Sequence, residues 1–124
     1  MAGSVHPYLR YRDAPAAIDW LERAFGFERR DVIENPDGTI AHAEMRWGSG
    51  TIMLASERDD PHAPRAGKGW NYVVIEDADA HHDRARAAGA EIVMELSDMD
   101  YGSRDYAARD LEGNLWSFGT YAPE

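Results

Sequence analysis

Three landmarks recur along this chain at nearly one offset. Asp13 and Asp77, each ahead of a helical stretch, lie 64 residues apart; Gly26 and Gly89, each behind one, lie 63 apart; Gly50 and Gly113, each in a late turn, also lie 63 apart. A single match of this kind carries little weight, but three in the same order argue for an internal structural repeat. The alternative for such a pattern is a ferredoxin-like α+β domain with an added hairpin.

The content of each repeat follows from its periodicity. Residues 5–12 alternate Pro7, Leu9 and Tyr11 against His6, Tyr8, Arg10 and Arg12, the two-residue period of a strand with one face on a core. Asp13 caps a helix over 14–25 whose Ala17, Trp20, Leu21, Ala24 and Phe25 form one stripe, and Gly26 stops it. Strands follow at 27–34 and 39–47, joined by Asn35-Pro36-Asp37-Gly38, and at 51–55 after the turn Gly48-Ser49-Gly50. Residues 56–69 are polar, rich in Pro and Gly, and without period, as in a linker or a flap. The second half repeats the order: strand 70–76, Asp77 as cap, a helix to Ala88, then strands near 91–95, 104–109 and 114–120.

At 124 residues the chain fits one domain, with module 1 at about 5–55 and module 2 at about 70–121. Without cysteine it has no disulfide, thiol chemistry or thiolate metal site. A net charge of −10 disfavours nucleic acid and anionic membranes, leaving a small molecule or another protein as partner. No apolar run approaches the roughly 18 residues of a membrane span. The start, Met-Ala-Gly-Ser-Val-His, lacks the basic region and apolar core of a signal peptide, so a cytoplasmic location is expected. No G-x-G-x-x-G or P-loop is present, and Ser103 and Ser117 have no visible base partner, so nucleotide cofactors and covalent catalysis have no support.

The segment Arg109-Asp110-Leu111-Glu112-Gly113-Asn114, followed by the apolar run Leu115-Trp116-Ser117-Phe118, reads as a closing hairpin. It resembles the last hairpin of the glyoxalase/bleomycin-resistance group of the vicinal oxygen chelate superfamily, and the resemblance covers nearly the whole chain. It implies an α+β fold: two β-α-β-β-β modules in a curved eight-stranded mixed sheet, cup-like half barrels with the helices outside. In metal-dependent members four inward strand positions carry ligands, and these fall on His6, Met53, Trp70 and Ser117. Only His6 is a competent donor, whereas a divalent ion needs three or four. No cofactor is therefore expected, and the resemblance points to the metal-free branch, which uses the cup as a ligand pocket.

The alternation assigns the faces. With Leu9 and Tyr11 on the helix side, His6, Tyr8 and Arg10 face the cup; with Val73 and Ile75 inward to the helix, Trp70, Tyr72 and Val74 do so. A two-residue turn at Ser49-Gly50 pairs Trp47 with Ile52 and Arg46 with Met53, which puts His42, Glu44, Arg46 and Met53 in the cup. The expected binding set is thus His6, Tyr8, Arg10, His42, Glu44, Arg46, Met53, Trp70, Tyr72 and Ser117, suited to a planar or amphipathic small molecule. Several of these have plainer roles open to them: Trp70 and Tyr72 as core filler, His42 and Glu44 as a solvated polar face, His6 as a structural histidine. His42 and Glu44, two apart on one strand, are also candidates for a general base and its orienting carboxylate. His81 and His82 are expected to be exposed on their helix, and Tyr101 sits in a loop able to cap the cup.

Three functions stay open: a metal-independent binding protein acting by sequestration or carriage; an enzyme of the same fold (lyase, isomerase or dioxygenase-like), metal-free through His42 and Glu44 or metal-dependent through His6; and a dimeric interaction module. Each module leaves a sheet edge that needs a neighbour, so a homodimer is expected.

Overall fold

The computed structural model describes residues 3–63 and 65–123. Module 1 runs β1 (Tyr8–Tyr11), α1 (Ala14–Trp20) continued by a wider π-helical stretch (Leu21–Phe25), β2 (Glu28–Glu34), β3 (Ile40–Trp47) and β4 (Gly50–Ser56). Module 2 repeats the order with β5 (Trp70–Val74), α2 (Ala78–Ala87), β6 (Glu91–Asp98), β7 (Arg104–Arg109) and β8 (Leu115–Gly119). The eight strands form two four-stranded mixed sheets, β1-β4-β3-β2 and β5-β8-β7-β6. In each the first strand pairs in parallel with the last of its module and the remaining pairs are antiparallel. The internal repeat is therefore one of structure.

Capping acts as the residues dictate. The Asp13 carboxylate accepts from Ala16 N–H at 3.1 Å and that of Asp77 from Ala80 N–H at 3.0 Å, satisfying one free donor at each helix start. Gly26 ends the first helix at φ 82°, a left-handed conformation that costs glycine nothing.

The helices and one face of each sheet share a single core. Leu9, Tyr11, Ala43, Met45 and Leu54 from the first sheet join Tyr106, Ala108, Trp116 and Phe118 from the second. Phe25 is the bridge, its ring 4.8 Å from Trp20, 4.8 Å from Phe118 and 5.8 Å from Trp116. Polar contacts cross the same seam: Arg84 Nη2 donates to Glu22 O at 2.8 Å, and Trp47 Nε1 to Val74 O at 2.7 Å.

Three local expectations change. The first strand is shorter than 5–12, leaving His6 ahead of it, and β6 extends three residues past 95. The β3–β4 turn sits one residue early, at Gly48-Ser49, because the positive φ of 56° falls on Gly48. Trp47 consequently pairs with Gly50, Met45 with Ile52 and Glu44 with Met53. This is a shift of two residues, so every side chain keeps its expected face. Finally, His81 and His82 are buried, not exposed, at 8% and 5% accessibility. Among the described residues no helix is long and apolar enough to cross a membrane.

Candidate functional site

On each sheet the face opposite the core carries the predicted residues. In the first sheet Tyr8, Met53 and Glu44 stand in register on neighbouring strands, with His42 two residues from Glu44. They form a connected chain. His42 Nε2 donates to Glu44 Oε2 at 3.0 Å, and its Nδ1 accepts from the Tyr8 hydroxyl at 3.3 Å. Both His42 and Glu44 are half-buried, at 30% and 36% side-chain exposure, so this is more than a freely solvated face. Arg10 lies with its guanidinium carbon 5.4 Å from the Tyr8 ring centre and donates to Ser56 O at 3.1 Å. Arg46 is exposed, opposite Thr51.

In the second sheet Tyr72, Ser117 and Ala107 form the corresponding row, continued by Met94. Trp70 Nε1 donates to Ser117 Oγ at 3.0 Å, while the indole itself is 73% exposed. Filler in a closed barrel is thus ruled out for Trp70 within one chain. Tyr72 is 40% exposed and donates to Tyr121 O at 2.7 Å.

The two faces do not meet within the chain. Both sheets turn their other sides to the shared core, so the predicted faces point away from it, and the contacts of each face stay inside its own module. A cleft of about 1040 Å³ lies elsewhere, between the β3–β4 turn and β5. Of the ten predicted residues it gathers only Arg46 and Tyr72, beside Trp47 and Asn71, whose buried amide nitrogen has no hydrogen-bond partner.

The four positions that hold metal in the resembling family do not suit an ion here. His6 Nδ1 donates to Thr51 O at 2.8 Å and its Nε2 accepts from Ser4 Oγ at 2.7 Å, so both nitrogens are engaged. Met53 offers a thioether, Trp70 no acceptor, and Ser117 a hydroxyl already accepting from the indole. Among the described residues no three His, Asp or Glu side chains gather in an arrangement able to hold a metal.

Comparison with known proteins places this geometry. The family model described as Glyoxalase/Bleomycin resistance protein/Dioxygenase superfamily matches residues 3–118. The chain belongs to that superfamily. An uncharacterized protein of Mycobacterium bovis is 32% identical over 127 residues, spanning 94% of this chain and 82% of its own. Among solved structures, TioX from Micromonospora sp. ML1 is 37% identical, covers 96% of this chain and 100% of its own, and superposes with a TM-score of 0.80. A glyoxalase/bleomycin resistance protein/dioxygenase family enzyme from Burkholderia phytofirmans shares the fold at 17% identity and a TM-score of 0.73, over 92% of this chain and 94% of its own.

Two residues that the sequence reading left out also stand at the second of the two faces, Asp105 and Tyr121. Asp105 is buried, with Ser103 Oγ and the Tyr101 hydroxyl donating to its carboxylate, the latter at 3.1 Å. Its signal was parity: Asp105 falls in step with Ala107 and Arg109, away from the core residues Tyr106 and Ala108. Tyr121 had no sequence signal, because its contact with Tyr72 is made by the backbone carbonyl.

Proposed function

We propose that the protein is a metal-independent small-molecule binding member of its superfamily, acting by sequestration or carriage, with the two cup faces as its ligand surface. The observation that carries this reading is the exposed Trp70 indole, fixed through its nitrogen to Ser117 so that its ring faces are held ready for stacking. A planar or amphipathic ligand suits the composition. Trp70, Tyr72 and Met94 supply one apolar, aromatic wall; Tyr8, Arg10, His42 and Glu44 supply a wall with hydrogen-bonding and charged groups.

Since the two faces lie on opposite sides of one chain's core, an enclosed cup requires the first module of one copy against the second module of another. A homodimer with the site at its interface follows from this reading, in keeping with the free outer edges of β1 and β5. Metal independence is supported by the donor set at His6, Met53, Trp70 and Ser117.

Screening planar heteroaromatic compounds by tryptophan fluorescence tests the binding function. Trp70→Ala is expected to weaken any compound found by at least about tenfold, roughly 1.4 kcal/mol. The same variant should melt within a few degrees of the parent, whereas Trp20→Ala, which empties a buried site against Phe25, should lose about 3 to 5 kcal/mol. Equal large losses of stability in both variants, or unchanged affinity in Trp70→Ala, would remove the reading. A second reading, an acid–base enzyme, is favoured by the Glu44–His42–Tyr8 chain, in which a carboxylate orients an imidazole whose other nitrogen meets a phenol.

A further inference from the structure

At one end of the second cup face, three tyrosines and Pro123 line a shallow, open cleft of about 490 Å³. All three are accessible, Tyr101 at 64%, Tyr121 at 50% and Tyr72 at 40%. They are nonetheless fixed. Tyr101 and Tyr121 stand at right angles, 82° between planes with centres 5.8 Å apart. The Tyr101 hydroxyl donates to Asp105 Oδ2 at 3.1 Å, the Tyr72 hydroxyl to Tyr121 O at 2.7 Å, and Ser103 Oγ accepts from Tyr121 N–H at 3.0 Å while donating to Asp105. Gly119 makes the arrangement possible: a Cβ there would overlap both the Asp105 carboxylate and the Tyr72 hydroxyl oxygen.

We propose that Tyr72, Tyr101 and Tyr121 form an aromatic cage for a small organic cation, a quaternary or tertiary ammonium group. Ring faces carry the negative part of the aromatic quadrupole, and perpendicular rings attract one cation together from two sides. The Tyr72 and Tyr101 hydroxyls are turned to protein acceptors, Tyr121 O and Asp105 Oδ2, so what these two residues offer the cleft is ring rather than hydroxyl. A methylated ammonium, which presents carbon rather than N–H, is therefore the matching chemistry. The surrounding charge agrees. The Asp105 carboxylate lies at the Tyr101 hydroxyl, and the net charge is −10. Arg104, next to Asp105 on β7, is already engaged by Asp79 at 2.7 Å and Asp98 at 3.0 Å. Hydrogen bonding to Asp105 also raises the Tyr101 pKa above its ordinary value of 10.0, so that ring stays neutral wherever the cage would operate.

The site goes beyond the planar-ligand reading, and its test does not depend on it, since the probe has no ring to stack. Choline and its neutral isostere 3,3-dimethylbutan-1-ol are titrated into the intact protein, followed by calorimetry and by tyrosine ring signals in NMR. Choline should bind at least about threefold more tightly than the alcohol, the preference expected of a partly exposed cation–π site. Tyr101→Leu and Tyr121→Leu, exposed positions where folding is not at risk, should abolish that preference while leaving the weak affinity for the alcohol. Equal affinity for the two probes, undetectable choline binding, or a cation preference that survives both substitutions would overturn the proposal.

Discussion

Asp110 gathers more hydrogen bonds than any feature of its turn would suggest from composition. Its buried carboxylate accepts from the Tyr11 hydroxyl at 2.7 Å, Asn114 Nδ2 at 3.0 Å, Trp116 Nε1 at 3.1 Å and the backbone N–H groups of Glu112 and Asn114. Burial, and then the Asp110 charge, pushes the Tyr11 pKa well above its ordinary value, so the phenol remains a donor. The neighbouring Glu112 carboxylate accepts from the backbone of Arg12 and Asp13, and Asn114 Oδ1 from Gly69 N–H. One five-residue turn thus ties module 2 to the start of α1 and to the end of the intervening loop. Replacing Asp110 with Ala strands three buried side-chain donors, each costing about 1 to 3 kcal/mol unless water reaches it. The expected loss in urea unfolding is about 3 kcal/mol or more, and a loss below about 1 kcal/mol would show that the turn is held elsewhere. That this turn closes a hairpin was legible from its Asp, Gly and Asn. Its role as the joint between modules was not, because Tyr11 lies 99 residues away and nothing local to Asp110 records it.

Among the elements, α2 departs furthest from its sequence pattern. His81 and His82 sit among charged neighbours and look solvent-facing, yet both are buried, His81 against Phe25 and Trp47 of module 1 and His82 against Tyr106 and Glu95 of its own module. His81 Nε2 donates to Phe25 O at 2.8 Å and its Nδ1 accepts from the Tyr106 hydroxyl at 2.6 Å, the pattern of a neutral imidazole satisfied on both sides. Burial lowers its pKa from 6.5, with Arg84 adding to that and the Phe25 carbonyl opposing it. The consequence has a definite sign: the unfolded chain takes up a proton below about pH 6.5 that the folded chain resists. Stability from this site is complete above that pH and declines as pH falls below it, until the folded imidazole itself titrates. Urea unfolding at pH 7.5 and 5.5 should show this decline, and His81→Gln should lose that part of it. An unchanged pH dependence in the variant would mean that other groups carry it. The strands, by contrast, were readable: Leu9 and Tyr11 against Tyr8 and Arg10, or Ala43 and Met45 against His42 and Glu44, fall on opposite faces as their alternation requires. Even the misplaced β3–β4 turn preserved this, since side-chain direction depends only on parity.

For the molecule as a whole, a core shared by both modules and cup faces on its outer sides make a second copy the natural completion. Light scattering at micromolar concentration should give about twice 13.9 kDa, and a mass near 13.9 kDa would remove the dimer from the proposal. Elemental mass spectrometry on dialysed, tag-free protein should find well under one divalent ion per chain. A stoichiometric ion lost on His6→Ala would overturn metal independence. What the sequence by itself determined was the architecture of each module, the superfamily resemblance and the side of the sheet on which each candidate strand residue stands, His6 lying ahead of β1. These rest on capping, turn chemistry and period, all local properties of the chain. Only the tertiary structure decided that α2 buries its histidines, that Asp105 and the Tyr121 carbonyl organise one end of the cup, and that the two faces are not opposed within one chain. The burial of His81 and the placing of the faces depend on how two modules separated by a 14-residue polar stretch, 56–69, dock through Phe25, Trp116 and Phe118, while the Asp105 and Tyr121 contacts join separate segments of module 2; contacts between distant segments leave no period in either of them.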